Sequence, residues 1–208
     1  MTQSERLRAA LQDALQDALQ DAPHRGWLDS TLAATTERTE MIKRFFPAAG
    51  RHMGREPLPG MPGWGADEAA RALLLTALPQ ACRAAETCDL YWHGDADEKR
   101  AVLKALPLLD IGAAALPVLH DAIRTNDARL VAAALGPCAR DLDQTAWRQA
   151  VFKCVFMGVP LTAVDRLQER ADTALAGMLA AFAEERAAAG RSVPSDAAAL
   201  FRGLTEET

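Results

Sequence analysis

Aromatic side chains make up only 5% of the 208 residues, and nowhere do they alternate with β-branched residues in the period-two pattern of a half-buried strand. That scarcity removes sheet-based architectures from consideration. No run approaches the roughly 20 apolar residues of a membrane-spanning helix. The first residues, Met1-Thr-Gln-Ser-Glu-Arg6, lack the apolar core of a secretory signal. Both absences lead to the expectation of a cytoplasmic protein with no membrane span. Cysteine is sparse as well: Cys82, Cys88, Cys138 and Cys154 form no C-x-x-C pair, which predicts buried free thiols and no zinc knuckle. Positive charge is in deficit, with a net charge of −5, so nucleic acid is not an expected partner.

Hydrophobic residues are abundant at 50%, and alanine supplies much of that half. Alanine is the strongest helix former and a poor strand former. The chain therefore reads as all-α. Its helices, 10–20 residues long by pattern and joined by short turns, describe an irregular α/α solenoid or a bundle of antiparallel helix pairs, HEAT-like in arrangement but without a clean internal repeat. The expected organisation is an N-terminal amphipathic helix over residues 1–25, docking loosely, followed by one all-helical domain over 26–208.

Within residues 5–22, Leu7, Leu11, Leu15 and Leu19 recur every four positions, so the stripe drifts around the helix, and Pro23 is read as its end. Further helices are predicted over 26–36 and 38–50, the second interrupted or kinked at Pro47. Residues 50–65 are rich in proline and glycine and form the one long irregular segment, the kind of loop that carries function or disorder. Two helices follow up to Gly94, broken at Pro79. Asp95 with Glu98 three residues on has the form of a capping box for a helix reaching about Leu109. Residues 112–123 carry another helix, and Asn126 is read as the cap of the next. Thr145–Gly158, with Trp147, Val151, Cys154 and Val155 on one face and Phe152, Phe156 and Met157 widening it, is predicted to be the central core helix. Residues 171–189 and 195–203 complete the set, with 206–208 frayed.

Chemistry is thinly signposted. The four histidines form no His-x-x-x-His pair, and no nucleophile-elbow, phosphate-loop or dinucleotide motif is present. No catalytic residue, metal or cofactor is predicted, and the balance leans away from an enzyme. What remains is a set of cations beside core positions: Arg51 and Arg55 on the irregular segment, Arg124 and Asn126 at a helix junction, Lys153 on the predicted central helix, and Arg191. With Trp147 as an apolar wall, these are the candidate ligand-binding residues for an anionic small molecule. The competing interpretation is that they form structural ion pairs between helices.

The order of Trp27-Leu28, Arg51-x-x-Gly54-Arg55-x-x-Leu58, Leu106-Pro-Leu-Leu109, Arg124-Thr-Asn126, Ala146-Trp147-(x)5-Lys153, Gly158-x-Pro160-Leu161 and Glu185-Arg186-(x)3-Gly190-Arg191 resembles the EboA family over about residues 26–203. No single element of this series is specific; the order and spacing together are. Departures mark a divergent member: Leu135-Gly-Pro-Cys138 stands where the family has Asn-Pro-Tyr-Pro, Ala187 where a tryptophan is usual, and Gly54-Arg55 where Gly-Lys is usual. The resemblance implies a bacterial protein whose gene neighbours resemble a membrane prenyltransferase, a TatD-like metal hydrolase, a sugar-isomerase barrel and a dehydroquinate synthase. These clusters are linked to the processing or export of secondary metabolites. It assigns the protein itself no chemistry; the missing catalytic constellation and the solenoid-like helix pairs, whose concave faces suit a partner, favour a non-catalytic component that partners enzymes of the same cluster or presents a substrate. The alternative is a protein that binds, or an enzyme that acts on, an anionic metabolite, phosphorylated or prenylated.

Overall fold

A computed structural model describes residues 2–18 and 22–206, and the expected all-α class holds: twelve α-helices and four short 3-10 turns, with no strand among the described residues. The chain divides into two compact units, Met1–Val118 and Leu119–Thr208.

The first unit is built around an alanine-rich helix. Its elements are α1 (Gln3–Ala18), α2 (Ala22–Glu37), α3 (Ile42–Met53), α4 (Ala66–Ala77), α5 (Gln80–His93) and α6 (Ala96–Leu109). Every residue of α4 from Ala66 to Thr76 is buried. Helices α1, α2, α3, α5 and α6 all pack against it. Small side chains let neighbouring axes approach closely on every side. Leu73, Leu74 and Leu75 then fill the gaps, each burial contributing about 1.5–3 kcal/mol.

Loose docking of the N-terminal helix does not match the structure: Leu11 and Leu15 are fully buried, and α1 packs on α4 and α6. The drifting leucine stripe suits a helix that must meet two neighbours. Pro23 lies in the first turn of α2, a tolerated site for proline, instead of terminating α1. Leu19 and residues 207–208 lie outside the described residues. Pro79 separates α4 from α5, and the Asp95–Glu98 capping box opens α6 as expected, with the Glu98 N–H donating to Asp95 Oδ1 at 2.8 Å.

Helix α7 (Leu116–Arg124) leads into the second unit, which holds α8 (Ala128–Ala134), α9 (Gln144–Met157), the short α10 (Leu167–Arg170), α11 (Thr173–Ala188) and α12 (Ser195–Glu206). The expected cap at Asn126 is corrected to Asp127, whose carboxylate accepts from the Arg129 N–H at 2.9 Å. The predicted central helix is α9, capped by Asp143 and stopped by Gly158, as the sequence suggested. Its role is narrower than expected. Trp147, Val151, Cys154 and Val155 are buried between α8 and α11, but Phe156 is 75% exposed, so α9 is amphipathic. The helix buried on nearly all sides is α4.

Candidate functional site

The irregular segment begins where α3 ends. Arg51 is still helical, in the last turn of α3, so only residues 54–65 form the loop. Gly54 takes φ 71°, a left-handed conformation that suits glycine, and reverses the chain. The loop folds back on itself, with the Leu58 N–H donating to the Trp64 carbonyl at 2.7 Å and the Leu58 side chain buried. Its carbonyls then meet α4. The first N–H groups of a helix have no partner within the helix. Here Ala66 N–H donates to Glu56 O at 3.0 Å and Asp67 N–H to Gly54 O at 3.1 Å. Glu68 reaches back to accept from the Gly65 N–H at 2.8 Å, half of a capping box. Gly65 is needed here for space: a Cβ would lie 2.9 Å from Asp67 Oδ1.

Charged side chains, Glu68 buried and Lys104 partly so, clamp this loop to α4 and α6. Lys104 on α6 donates from Nζ to Gly63 O at 2.6 Å and to Glu68 Oε2, and its ammonium sits 4.2 Å from the centre of the Trp64 ring. Burial pulls the Lys104 pKa below the usual lysine value, although Glu68 opposes the shift. Beneath them, Arg71 donates from Nη1 to Asp67 Oδ2 at 2.5 Å and from Nε to Phe46 O at 3.0 Å, with side chains 2% and 6% exposed for Arg71 and Asp67.

Between loop and helices lies an open cleft of about 330 Å³. Arg55, Pro57 and Trp64 form the loop side; Glu68, Asp97 and Arg100 form the helix side. Arg55 Nη2 is 3.1 Å from Asp97 Oδ2 and two-thirds exposed. Arg100 Nη1 is 3.0 Å from Glu68 Oε1, yet that oxygen, buried, receives no hydrogen bond. A second hollow, of about 390 Å³, is lined by Lys43, Asp89 and His93. The side chains of Lys43, Asp89 and His93 are exposed and already pair with one another, Lys43 Nζ lying 2.9 Å from Asp89 Oδ2; Glu86, whose buried Oε2 also accepts no hydrogen bond, is 3.8 Å from Lys43 but does not line the hollow.

The sequence-predicted site residues divide between the units. Arg51 and Arg55 belong to the first, and only Arg55 reaches the cleft. In the second, Arg124, Asn126 and Arg191 are exposed. Lys153 donates to Ile123 O at 3.1 Å and Thr125 O at 2.6 Å, so it caps the end of α7. Trp147 is fully buried beneath the Arg170 guanidinium, 4.7 Å from the ring centre, and Arg170 also ties the Ala139 and Leu142 carbonyls. Lys153 thus shares a junction with the Arg124–Asn126 turn, where its charge serves backbone carbonyls. The sequence reading passed over Glu68, Arg100, Lys104 and the Asp67–Arg71 pair. Their signal was present: Asp67 and Arg71 stand four apart in a helix otherwise apolar but for Glu68 and Thr76, where charge must be paired.

Of the four free thiols, expected to be buried, only Cys154 is fully so, and Cys82, Cys88 and Cys138 are partly exposed. Burial raises the Cys88 thiol, pushes Cys138 up to about 11 and Cys154 up to about 12, which leaves them protonated at neutral pH. Among the described residues no three His, Cys, Asp or Glu side chains are grouped to hold a metal ion, and no helix is long and apolar enough to cross a membrane.

A family model described as "Metabolite traffic protein EboA" matches residues 48–202. The chain belongs to the EboA family. The match takes in the loop, the whole cleft and the second unit almost to its end; α1, α2 and the Trp27-Leu28 pair lie before it. No curated protein and no solved structure matches the chain.

Proposed function

We propose that this EboA-family chain binds a small polar metabolite in the cleft beneath the 54–65 loop and presents it, unconverted, to partner enzymes of a secondary-metabolite pathway. The observation that supports this most is the cleft itself: about 330 Å³, at the lower end of ligand-site volumes, walled by paired charges beneath a loop that Lys104 ties to Glu68. Such walls fix a ligand's orientation at little cost in ordering. Non-conversion is favoured by what the walls hold. Paired carboxylates and guanidinium groups bind and orient, and no cysteine lines the cleft. The family description, a metabolite traffic protein, agrees with a carrier role.

Native mass spectrometry of the full chain purified gently from its own cells tests the reading, beside a Pro57→Trp variant that fills the cleft. A small mass retained by the wild type and lost from the folded variant is expected. A bare wild-type chain, or a small mass kept equally by the variant, would overturn it.

A further inference from the structure

Glu68 carries an unanswered demand. Its side chain is 94% buried, and Oε2 is saturated by the Gly65 N–H and Lys104. Oε1, in a residue that lines the cleft, is also buried and accepts no hydrogen bond, although Arg100 Nη1 stands 3.0 Å away as an ion pair. A buried carboxylate oxygen without a donor costs on the order of 1–3 kcal/mol. A ligand that supplies the donor recovers that cost. The guanidinium of Arg100, with no hydrogen bond to Glu68, keeps N–H groups for an acceptor, and Arg55 across the cleft is two-thirds exposed with spare N–H groups beyond its pair with Asp97.

Charge decides what kind of donor and acceptor these are. The groups joined around the cleft are Arg55, Arg71, Arg100 and Lys104 against Asp67, Glu68 and Asp97, leaving one positive charge in excess. A monoanion with a neutral donor balances that excess; a cation enlarges it, and a zwitterion leaves it. Since Oε1 and Nη1 are 3.0 Å apart, the ligand's donor and its anionic group must sit on adjacent atoms. The helix N-terminus does not supply the anion site, because its first N–H groups are taken by Glu56 and Gly54.

We infer that the cleft selects a small anion bearing a hydroxyl next to the anionic group, with Arg100 and Arg55 on the anion and Glu68 Oε1 accepting from the hydroxyl. This rests on the cleft being the metabolite site. An α-hydroxycarboxylate has this chemistry.

The test is an NMR titration of the full chain, following the Gly63 and Gly65 amide signals, with glycolate against acetate and lactate against propionate. The hydroxylated member of at least one pair is expected to bind about tenfold more tightly than its plain counterpart, the worth of one hydrogen bond to a charged group. Glu68→Gln should reduce that ratio, while Arg100→Gln should weaken both members of the pair alike. Because Glu68→Gln also loosens the Lys104 clamp, the wild-type ratio alone is sufficient to decide. Equal binding within both pairs, or no movement of Gly63 and Gly65 with any of the four at millimolar concentration, overturns the inference. A non-hydroxylated or cationic mass found in the cleft by native mass spectrometry would overturn it too, while leaving the carrier reading intact.

Discussion

Replacing Arg71 with methionine asks how much of the first unit depends on one buried ion pair. The guanidinium is 2% exposed and its partner Asp67 6%, with 2.5 Å between Nη1 and Oδ2. Methionine keeps much of the volume but strands the Asp67 carboxylate in the core and leaves the Phe46 carbonyl without its donor. Removing one partner of such a pair costs about 3–5 kcal/mol, because the remaining charge stays desolvated. For a unit of this size, roughly 4 °C per kcal/mol, the loss lowers its Tm by roughly 12–20 °C. Scanning calorimetry, with urea unfolding followed by circular dichroism, measures both quantities. The decisive comparison is the Asp67→Ala/Arg71→Met double variant, which removes both charges. It should be more stable than Arg71→Met alone by about 2 kcal/mol, since no carboxylate is left buried without a counter-charge. A single-variant cost under about 1 kcal/mol, or a double variant worse than the sum of the singles, would refute the reasoning.

Three other expectations follow from the second unit. Lys153→Met should destabilise it by roughly 1–3 kcal/mol by freeing the Ile123 and Thr125 carbonyls, and should leave ligand retention by the full chain unchanged; lost retention with full stability would instead support the anion role expected from the sequence. Phe156→Ser should change urea stability by less than about 0.5 kcal/mol, because the ring is 75% exposed; a large loss would mean that α9 is turned the other way. Folding raises Cys138 to about 11 and Cys154 to about 12 from an ordinary 9.0, so the stability they lend is complete below pH 9.0 and is lost as pH rises toward those values. Urea midpoints should therefore fall between pH 9 and 11, less steeply in a Cys154→Val variant; identical slopes would contradict the raised thiol.

Helix content, most helix limits and the Asp95–Glu98 cap were legible because each is decided by residues within four positions of one another. The hub was not. Alanine gives α4 almost no apolar contrast around its circumference, while the aromatics of α9 suggested an all-round core helix whose Phe156 is in fact exposed. Asn126 and Asp127 are adjacent good caps, and only the Asp127 carboxylate answers Arg129 from both backbone and side chain. The loop at 54–65 stood out by its glycines and prolines. Its chemistry did not, since Lys104 meets Glu68 across 36 residues of sequence, and no local spacing encodes that meeting. Lys153 and Trp147 were correctly placed beside the core. Their charge and ring are spent there, on helix carbonyls and on Arg170.

The most direct test of the cleft as the binding site uses the four tryptophans of the chain as reporters. Trp64 lines the cleft, Trp147 is fully buried in the second unit, Trp92 is 46% exposed on α5 and Trp27 stacks on His52. With the indole nitrogens isotopically labelled, the full chain is titrated with a small-molecule extract of its own cells and the four N–H signals are followed by NMR. A shift of the Trp64 signal, with Trp147 and Trp92 unmoved, is the predicted result. A spectrum in which Trp64 stays still, whether or not another indole moves, would contradict binding in the cleft.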